Sequence, residues 1–390
     1  MDRVFIFTDG MFPRHGANSN YIQYLALCIK EAGMQPYIIS QLNKEIISSD
    51  ADEVEYRGLK ILRAEFGDNR LTRFVQSRTG FLRKRISILK KMKIDSGDYV
   101  FVFITRRSFL RGLLKLREEI GFKIIGGVLE LFDRKEFDGK HPDREYRIYL
   151  EILERYFSQF DLIFPISTFI EEYFQNLGCK TFLIPIMADC SEFEREEKEF
   201  SKYRIIIPAH GMMKDSLSVM LKSYCALERS DLERSELHLC GVKRDKVRQA
   251  LSEEEWEIFQ KHGIIHKWMK YDELIDLYRK MHYLLLVRET CQMTRANFPS
   301  KVPETMNFGI VPLASKVGDY TRYYLENGVN SIFIEEHDIE SCRRVLSIAI
   351  NLNREEYLEY SSNAISCVQH RFDYHNWSLK LEKALRDLQK

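Results

Sequence analysis

Short apolar, β-branched or aromatic runs alternate with helical patterns along most of this chain. In the first half the runs fall at Val4–Thr8, Tyr37–Ser40, Gly58–Ala64, Tyr99–Thr105, Lys123–Gly127 and Leu162–Ile166, and each is short enough to be a strand. Helices are predicted at about Asn20–Ala32, Arg107–Ile120, Tyr146–Phe160 and Thr168–Leu177. The same alternation restarts after a charged stretch, 192–202, which reads as a linker. Strands are then predicted at Arg204–Pro208, Leu237–Cys240, Ile264–Lys267, Tyr283–Val287, Ile310–Ala314 and Ser331–Ile334, with helices near Leu217–Leu227, Asp272–Lys280 and Tyr320–Asn327. Strand–helix alternation of this kind predicts α/β architecture with parallel sheets. No sequence repeat links the halves; they share a layout. The expectation is two doubly wound domains that take ligands at the carboxyl ends of their strands, in the cleft between them.

Composition narrows the class. The 390 residues are 45% hydrophobic and 30% charged, ordinary values for a globular protein of two domains. The formal net charge of +1 gives no global field for nucleic acid. The eight cysteines are scattered, without a C-x-x-C pair, and read as reduced thiols in apolar surroundings. The first residues run directly into a strand, leaving no room for a signal peptide, and no apolar run approaches the roughly 18 residues of a membrane span. A cytoplasmic location is expected.

Candidate chemistry gathers at predicted strand ends. Gly16 and Ala17 precede a helix whose N-terminus favours an anion, although a small-residue packing turn explains them equally well. The dinucleotide fingerprint G-x-G-x-x-G is absent. In "PAHGMMKDS", Gly211 and Lys214 lie between a strand and a helix, where a lysine can neutralise a diphosphate or simply sit in solvent. Arg288 ends the strand "HYLLLVRE" and suits a bidentate phosphate clamp; the alternative is an ion pair with an acid such as Glu289. In "NFPSKVPETMNFG", Ser300 and Lys301 precede a helix with Pro303 in its first turn and unpaired amides at its start. Glu304 there can accept hydrogen bonds from vicinal sugar hydroxyls, or act only on the helix dipole.

The order of these features resembles the GT-B-fold glycosyltransferases, specifically the large retaining family four (glycosyl transferase group 1). The likeness spans nearly the whole chain. "HGANSNYIQYLALCIKEAGMQPYIIS" is similar to that family's first glycine-rich loop, helix and second strand. "DLIFPISTFIEEYFQNLGCKTFLIPIMADCSEF" resembles the closing segment of its acceptor domain, and "AHGMMKDS" its G-x-x-x-K loop. "IIHKWMKYDELIDLYRKMHYLLLVRE" is similar to the nucleotide-base region, with Trp268 where that family usually has glycine and Met269 beside it as a further donor-binding candidate. "RANFPSKVPETMNFGIVPLASKVGDY" matches the signature segment best.

The family's signature is Glu-x7-Glu. Its second glutamate aligns with Glu304 and holds the ribose hydroxyls; the first, which touches the donor sugar, aligns with Ala296, so the pattern is broken here. The resemblance implies that Lys214, Arg288 and Lys301 bind the donor diphosphate and stabilise its departing charge. Asn297, with the amides of Phe298, Pro299 and Ser300, stands as the replacement for the missing glutamate contact; Pro299 can contribute only its carbonyl.

Front-face attack, the mechanism usually described for this family, needs no protein nucleophile. In "GGVLELFDRKEF", Glu130 and Asp133 follow a strand and either orient an acceptor hydroxyl, act as a base, or are solvent-facing acids.

The segment 70–93 carries nine basic residues and no acidic one, with apolar residues interspersed. It suits an anionic membrane surface or a pyrophosphate-linked lipid acceptor, or is a helix half packed on the domain with a solvated cationic face.

The expectations are therefore an acceptor domain over 1–195, a nucleotide-sugar domain over 196–368, and a terminal helix over 369–390 that crosses back to the first domain. The implied activity is transfer of a sugar from a UDP- or GDP-linked donor to a glycan or lipid-linked acceptor, with retention, in surface polysaccharide or glycoconjugate synthesis. No further cofactor, metal or nucleic-acid partner is implied. The rival reading is a degenerate, non-catalytic nucleotide-binding or scaffolding partner.

Overall fold

The computed structural model describes residues 2–64, 81–103, 106–208 and 214–390. They form two units: residues 1–187 with 374–390, and residues 188–373. Gly211 and the basic residues 70–80 lie outside the described residues.

Unit 1 is built on strands β1 (Arg3–Phe12), β2 (Gln35–Leu42), β3 (Glu53–Tyr56), β4 (Leu59–Arg63), β5 (Tyr99–Val102), β6 (Lys123–Val128) and β7 (Leu162–Pro165). Their order is β3-β4-β2-β1-β5-β6-β7. All pairings are parallel except β3 with β4, an antiparallel edge strand that its polar sequence hides. Central strands such as Tyr99–Val102 are buried at every position, as a sheet covered on both faces requires. The helix Ala17–Glu31 begins three residues earlier than periodicity predicts, while Arg107–Ile120 falls where expected. The predicted helix Tyr146–Phe160 is instead Pro142–Glu151 followed by a wider π-helical turn, Ile152–Tyr156. The terminal helix Ser378–Arg386 packs in unit 1 beside Ala17–Glu31, and the Tyr99 hydroxyl donates to the Leu385 carbonyl at 3.0 Å.

Unit 2 carries β8 (Tyr203–Pro208), β9 (Ser235–Cys240), β10 (Gly263–His266), β11 (Tyr283–Leu286), β12 (Val311–Ser315) and β13 (Ile332–Ile334). The order is β10-β9-β8-β11-β12-β13, parallel throughout. Its core is aliphatic and aromatic, with Leu237, Leu239, Leu285 and Leu313 fully enclosed. The charged stretch 192–202 is no free linker. Arg195 donates to the Asn307 carbonyl at 2.6 Å and Lys198 to the Met281 carbonyl, so it is bound to unit 2.

Each sheet has one point where the chain reverses its direction of travel across it. In unit 1 that point separates β1 from β5; in unit 2 it separates β8 from β11. Loops leaving two adjacent strands there diverge to opposite faces and leave a crevice at the carboxyl ends.

Candidate functional site

The unit 2 crevice is where the predicted cations meet. Arg288 follows β11 and is buried, 4% exposed. Its backbone N–H donates to Ser315 Oγ at 2.8 Å, which fixes the loop to the end of β12. Across the switch point, the Ser216 N–H donates to the Val287 carbonyl at 2.8 Å and draws the loop after β8 alongside. That loop delivers Asp215, an acid that the sequence reading did not single out.

Asp215 joins the two cations. Arg288 Nε donates to its Oδ1 at 2.8 Å and Lys301 Nζ to its Oδ2 at 2.5 Å. Arg288 Nη1 also donates to Asn297 Oδ1 at 3.0 Å, and Lys301 Nζ to the Pro208 carbonyl at 2.6 Å. The acid paired with Arg288 is thus Asp215, not its neighbour Glu289. Burial pushes the Asp215 carboxyl up, but the charges of Lys301 and Arg288 outweigh it and hold the group below its ordinary value. Burial likewise lowers Lys301, with Asp215 working against the shift. Two cations on one carboxylate leave the trio with one net positive charge, held at the crevice in a dry setting where charge is felt strongly.

The other predicted residues fall around this trio. Ser300 begins the short helix Lys301–Met306 without a side-chain cap, and Glu304 lies in its first turn, half-buried. Glu304 is near enough to Lys301 to stabilise its charge and to Tyr278 to oppose that hydroxyl's ionisation. Fewer amides are available at this helix than the sequence suggests. Val302 N–H donates to the Pro299 carbonyl at 3.0 Å, Glu304 N–H to the Ser300 carbonyl at 3.2 Å, and Pro303 has none. Pro299 is buried, and the Phe298 side chain belongs to the core, against Tyr320, Tyr324 and Phe372, so only its backbone remains for a ligand.

Ala296 ends the helix Gln292–Ala296 and is completely enclosed. Gly318 presses on the same helix: with φ of +68°, a Cβ there would meet the Thr294 and Arg295 carbonyl oxygens at 3.2 Å. Lys214, half-buried, directly precedes Asp215. Trp268, 69% exposed, and Met269, half-buried, lie in the loop after β10.

In unit 1, Gly16 and Ala17 are exposed at the start of their helix. Gly16 has φ of +85° and open space where a Cβ would stand, and the helix has no side-chain cap. Asp133 is occupied as a cap: it accepts from the Arg134 N–H at 2.6 Å while Glu136 accepts from the Asp133 N–H. Glu130 is half-buried just after β6, with its carbonyl facing the Tyr149 hydroxyl at 3.4 Å. Of the basic segment, the helix Phe81–Lys91 is described: Leu89 is buried on the domain while Lys90 and Lys91 are exposed. Arg85 turns inward, 1% exposed, onto Asp9. No described helix is long and apolar enough to cross a membrane, and the described residues hold no cluster of metal-ligand type.

No protein-family model matches the chain, and no curated protein matches it by sequence. Solved structures do match, over their full length. The chain is similar to sucrose-phosphate synthase (tll1590) from Thermosynechococcus elongatus, with a TM-score of 0.75 and 12% identity, covering 100% of this chain and 99% of that one. It is similar to Alr3699/HepE from Anabaena in complex with UDP and glucose, with a TM-score of 0.70 and 11% identity over 99% and 100% of the two chains. Trehalose-6-phosphate synthase OtsA matches with a TM-score of 0.68 and 11% identity over 99% of each. Two parallel-sheet α/β domains superimposing on these enzymes end to end give this chain the fold of the GT-B glycosyltransferases.

Proposed function

We propose that this chain is a nucleotide-sugar-dependent glycosyltransferase, with the donor on unit 2 and the acceptor on unit 1. The observation that carries the reading is the Arg288–Asp215–Lys301 trio at the unit 2 switch point, with Glu304 one helical step beyond it. Rupture of the bond between sugar and diphosphate sends negative charge onto the leaving phosphate. Arg288 and Lys301, preset by Asp215 and Asn297, meet that charge without reorganising, and Lys214 adds to it. Glu304 holds the ribose hydroxyls. Trp268 and Met269 supply the face against which the base lies. The backbone around Ser300 contributes amides, and in unit 1 the Gly16–Ala17 helix start offers amides of its own to an anion. Solved structures of the same fold with UDP, glucose or UDP-glucose bound support a UDP-linked sugar as donor.

Transfer with retention to a glycan or lipid-linked acceptor, in surface polysaccharide or glycoconjugate synthesis, completes the proposal. Glu130 remains the unit 1 acid for orienting the acceptor; Asp133 serves its own turn. The leaving phosphate takes the acceptor's proton, and cationic side chains take the part that a metal plays elsewhere.

Ala296 favours a second reading, a binding partner without turnover, because no carboxylate can reach the sugar from that enclosed position. Turnover of a panel of UDP- and GDP-sugars, with Glu304→Ala alongside, separates the two. Release of nucleotide by the wild type, lost in the variant, supports the enzyme. Nucleotide binding with no turnover of any sugar supports the partner.

A further inference from the structure

One face of the unit 2 sheet departs from the rule for strands enclosed on both sides, which are ordinarily apolar throughout. Leu237 and Leu239 of β9 belong to the aliphatic core, so the alternate residues Glu236 and His238 share the opposite face. Arg204 of β8 stands in register with Glu236, its Nε 3.6 Å from the Glu236 Oε2. The charged stretch 192–202 and the helix Tyr271–Lys280 border this face without filling it. They leave a cavity of about 390 Å³ whose walls include Lys198, Arg204, His238 and Arg279. Small-molecule sites run from roughly 300 to 1,000 Å³, so there is room for more than a bare ion. Lys198 precedes β8 and Met281 precedes β11, which puts the cavity toward the amino ends of those strands. The Arg288–Asp215–Lys301 crevice lies at their carboxyl ends.

Two groups in this cavity lack a partner that burial calls for. His238 is 6% exposed. Its Nδ1 is bonded to His266 Nε2 at 2.9 Å, while its own Nε2 has no hydrogen-bond partner among the described residues. Glu236 Oε2, at 3.7 Å from that Nε2, is too distant to accept but favours the tautomer that carries the proton there. His238 Nδ1 then accepts from His266, and a buried N–H is left at the cavity wall, a costly state for a donor.

Lys198 is the second group. It is half-buried, and its Nζ donates to the Met281 carbonyl and, at 3.5 Å, to the Arg279 carbonyl. An ammonium has three protons, so one remains. The neighbouring glutamates pair elsewhere: Glu196 with Arg279, Glu197 with Arg354 and Glu199 with Arg204. No carboxylate among the described residues pairs with Lys198, and burial, unopposed, lowers its amine to about 7. Charges in such positions are ordinarily paired, as Lys301 is with Asp215.

We infer that this cavity binds a small oxoanion, a phosphate or carboxylate carried by a small metabolite. One oxygen accepts from Lys198 Nζ and another from His238 Nε2. Arg204 and Arg279 add positive charge at the sides, with their partners Glu199 and Glu196 on the exposed rim. The site is separate from the donor crevice and does not rest on the activity proposed above.

The test is calorimetric titration of the full chain, with UDP in excess, using inorganic phosphate, malonate and, as an uncharged control, malonamide. NMR of the same protein carrying isotope-labelled histidine follows the His238 ring, whose signal is assigned by its loss in His238→Phe. The titrations compare wild type, Lys198→Met, Lys198→Arg, His238→Phe and Lys316→Gln. Lys316 is exposed and paired with Glu335, so its loss controls for charge alone.

Wild type is expected to bind phosphate or malonate but not malonamide, with a shift of the His238 Nε2 signal. Affinity falls about tenfold or more in Lys198→Met and in His238→Phe, as loss of a hydrogen bond to a charged group requires. It recovers partly in Lys198→Arg and is unchanged in Lys316→Gln. Tighter binding of phosphate identifies a phosphorylated ligand; tighter binding of malonate identifies a carboxylate. No binding of either anion, equal affinity in Lys198→Met, or binding that leaves the His238 signal unmoved overturns the inference. The NMR reading is made on wild type, so a variant that fails to fold does not shield it. An anion held by the Arg288–Asp215–Lys301 trio leaves His238 unmoved, so failure of UDP to bind defeats the proposed function without touching this result.

Discussion

Replacing Asp215 by asparagine tests whether the unit 2 trio is held together by charge. The substitution keeps size and one hydrogen-bond acceptor but leaves Arg288 and Lys301 facing each other in a buried setting. Removing one partner of a buried ion pair costs about 3–5 kcal/mol, because the remaining charge stays desolvated. The lower end is expected here. Lys301 is 16% exposed, so some solvent reaches its ammonium group and offsets the lost partner. Urea unfolding at pH 7 should therefore show a loss of about 3 kcal/mol.

The pH dependence has a definite sign. The folded carboxyl of Asp215 lies below its unfolded value of about 3.9, so its stabilising effect is complete above about pH 5 and disappears as pH falls through the folded value. The difference between wild type and Asp215→Asn should be constant from about pH 5 to 7 and close on further acidification. A loss below about 1 kcal/mol, or a difference that persists unchanged to the lowest pH at which the wild type folds, would refute the argument.

Trp268→Ala should weaken nucleotide binding by about 1–3 kcal/mol, the usual loss when an aromatic platform under a base is removed, with an unchanged melting temperature because Trp268 is exposed. His282 is enclosed by the rings of Phe200, Tyr203 and Tyr357, and its Nδ1 accepts from the Arg204 N–H at 3.0 Å. Burial first, then the charges of Lys198 and Arg204, push it down to about 3. The unfolded chain binds that proton near pH 6.5, so stability contributed by His282 is present above that pH and lost as pH falls toward 3, at up to about 1.4 kcal/mol per pH unit. His282→Gln should flatten that slope in urea titrations between pH 4 and about 6.5. Gly318→Ala should destabilise by about 1–3 kcal/mol in the same assay, through its positive φ and its contact with the helix Gln292–Ala296.

The layered α/β plan was legible because strands buried on both faces are continuous apolar runs, as in "YLLL" of β11. β3 was not, since an edge strand needs no apolar face and "EVEY" has a polar one. Arg288 and Lys301 could be named from a strand end and a helix start. What binds them could not. Asp215 is 73 residues from Arg288 and 86 from Lys301, and only the placing of β8 beside β11 brings the three together. Beside Lys214 in sequence, Asp215 reads as one more surface acid. Arg85 was hidden for a related reason. Within a run of basic residues nothing distinguishes the one that turns inward, and its partner Asp9 lies 76 residues earlier. Phe298 was named for its backbone amide; that its ring packs against Tyr324 in the core was not legible beside the motif.

Titration of UDP and GDP into wild type and Glu304→Ala tests the central claim most directly. The account predicts saturable binding of at least one nucleotide, weakened tenfold or more in the variant, since hydrogen bonds to a charged group contribute about 1.5–3 kcal/mol. Failure of the wild type to bind either nucleotide, or equal affinity in Glu304→Ala, would contradict it.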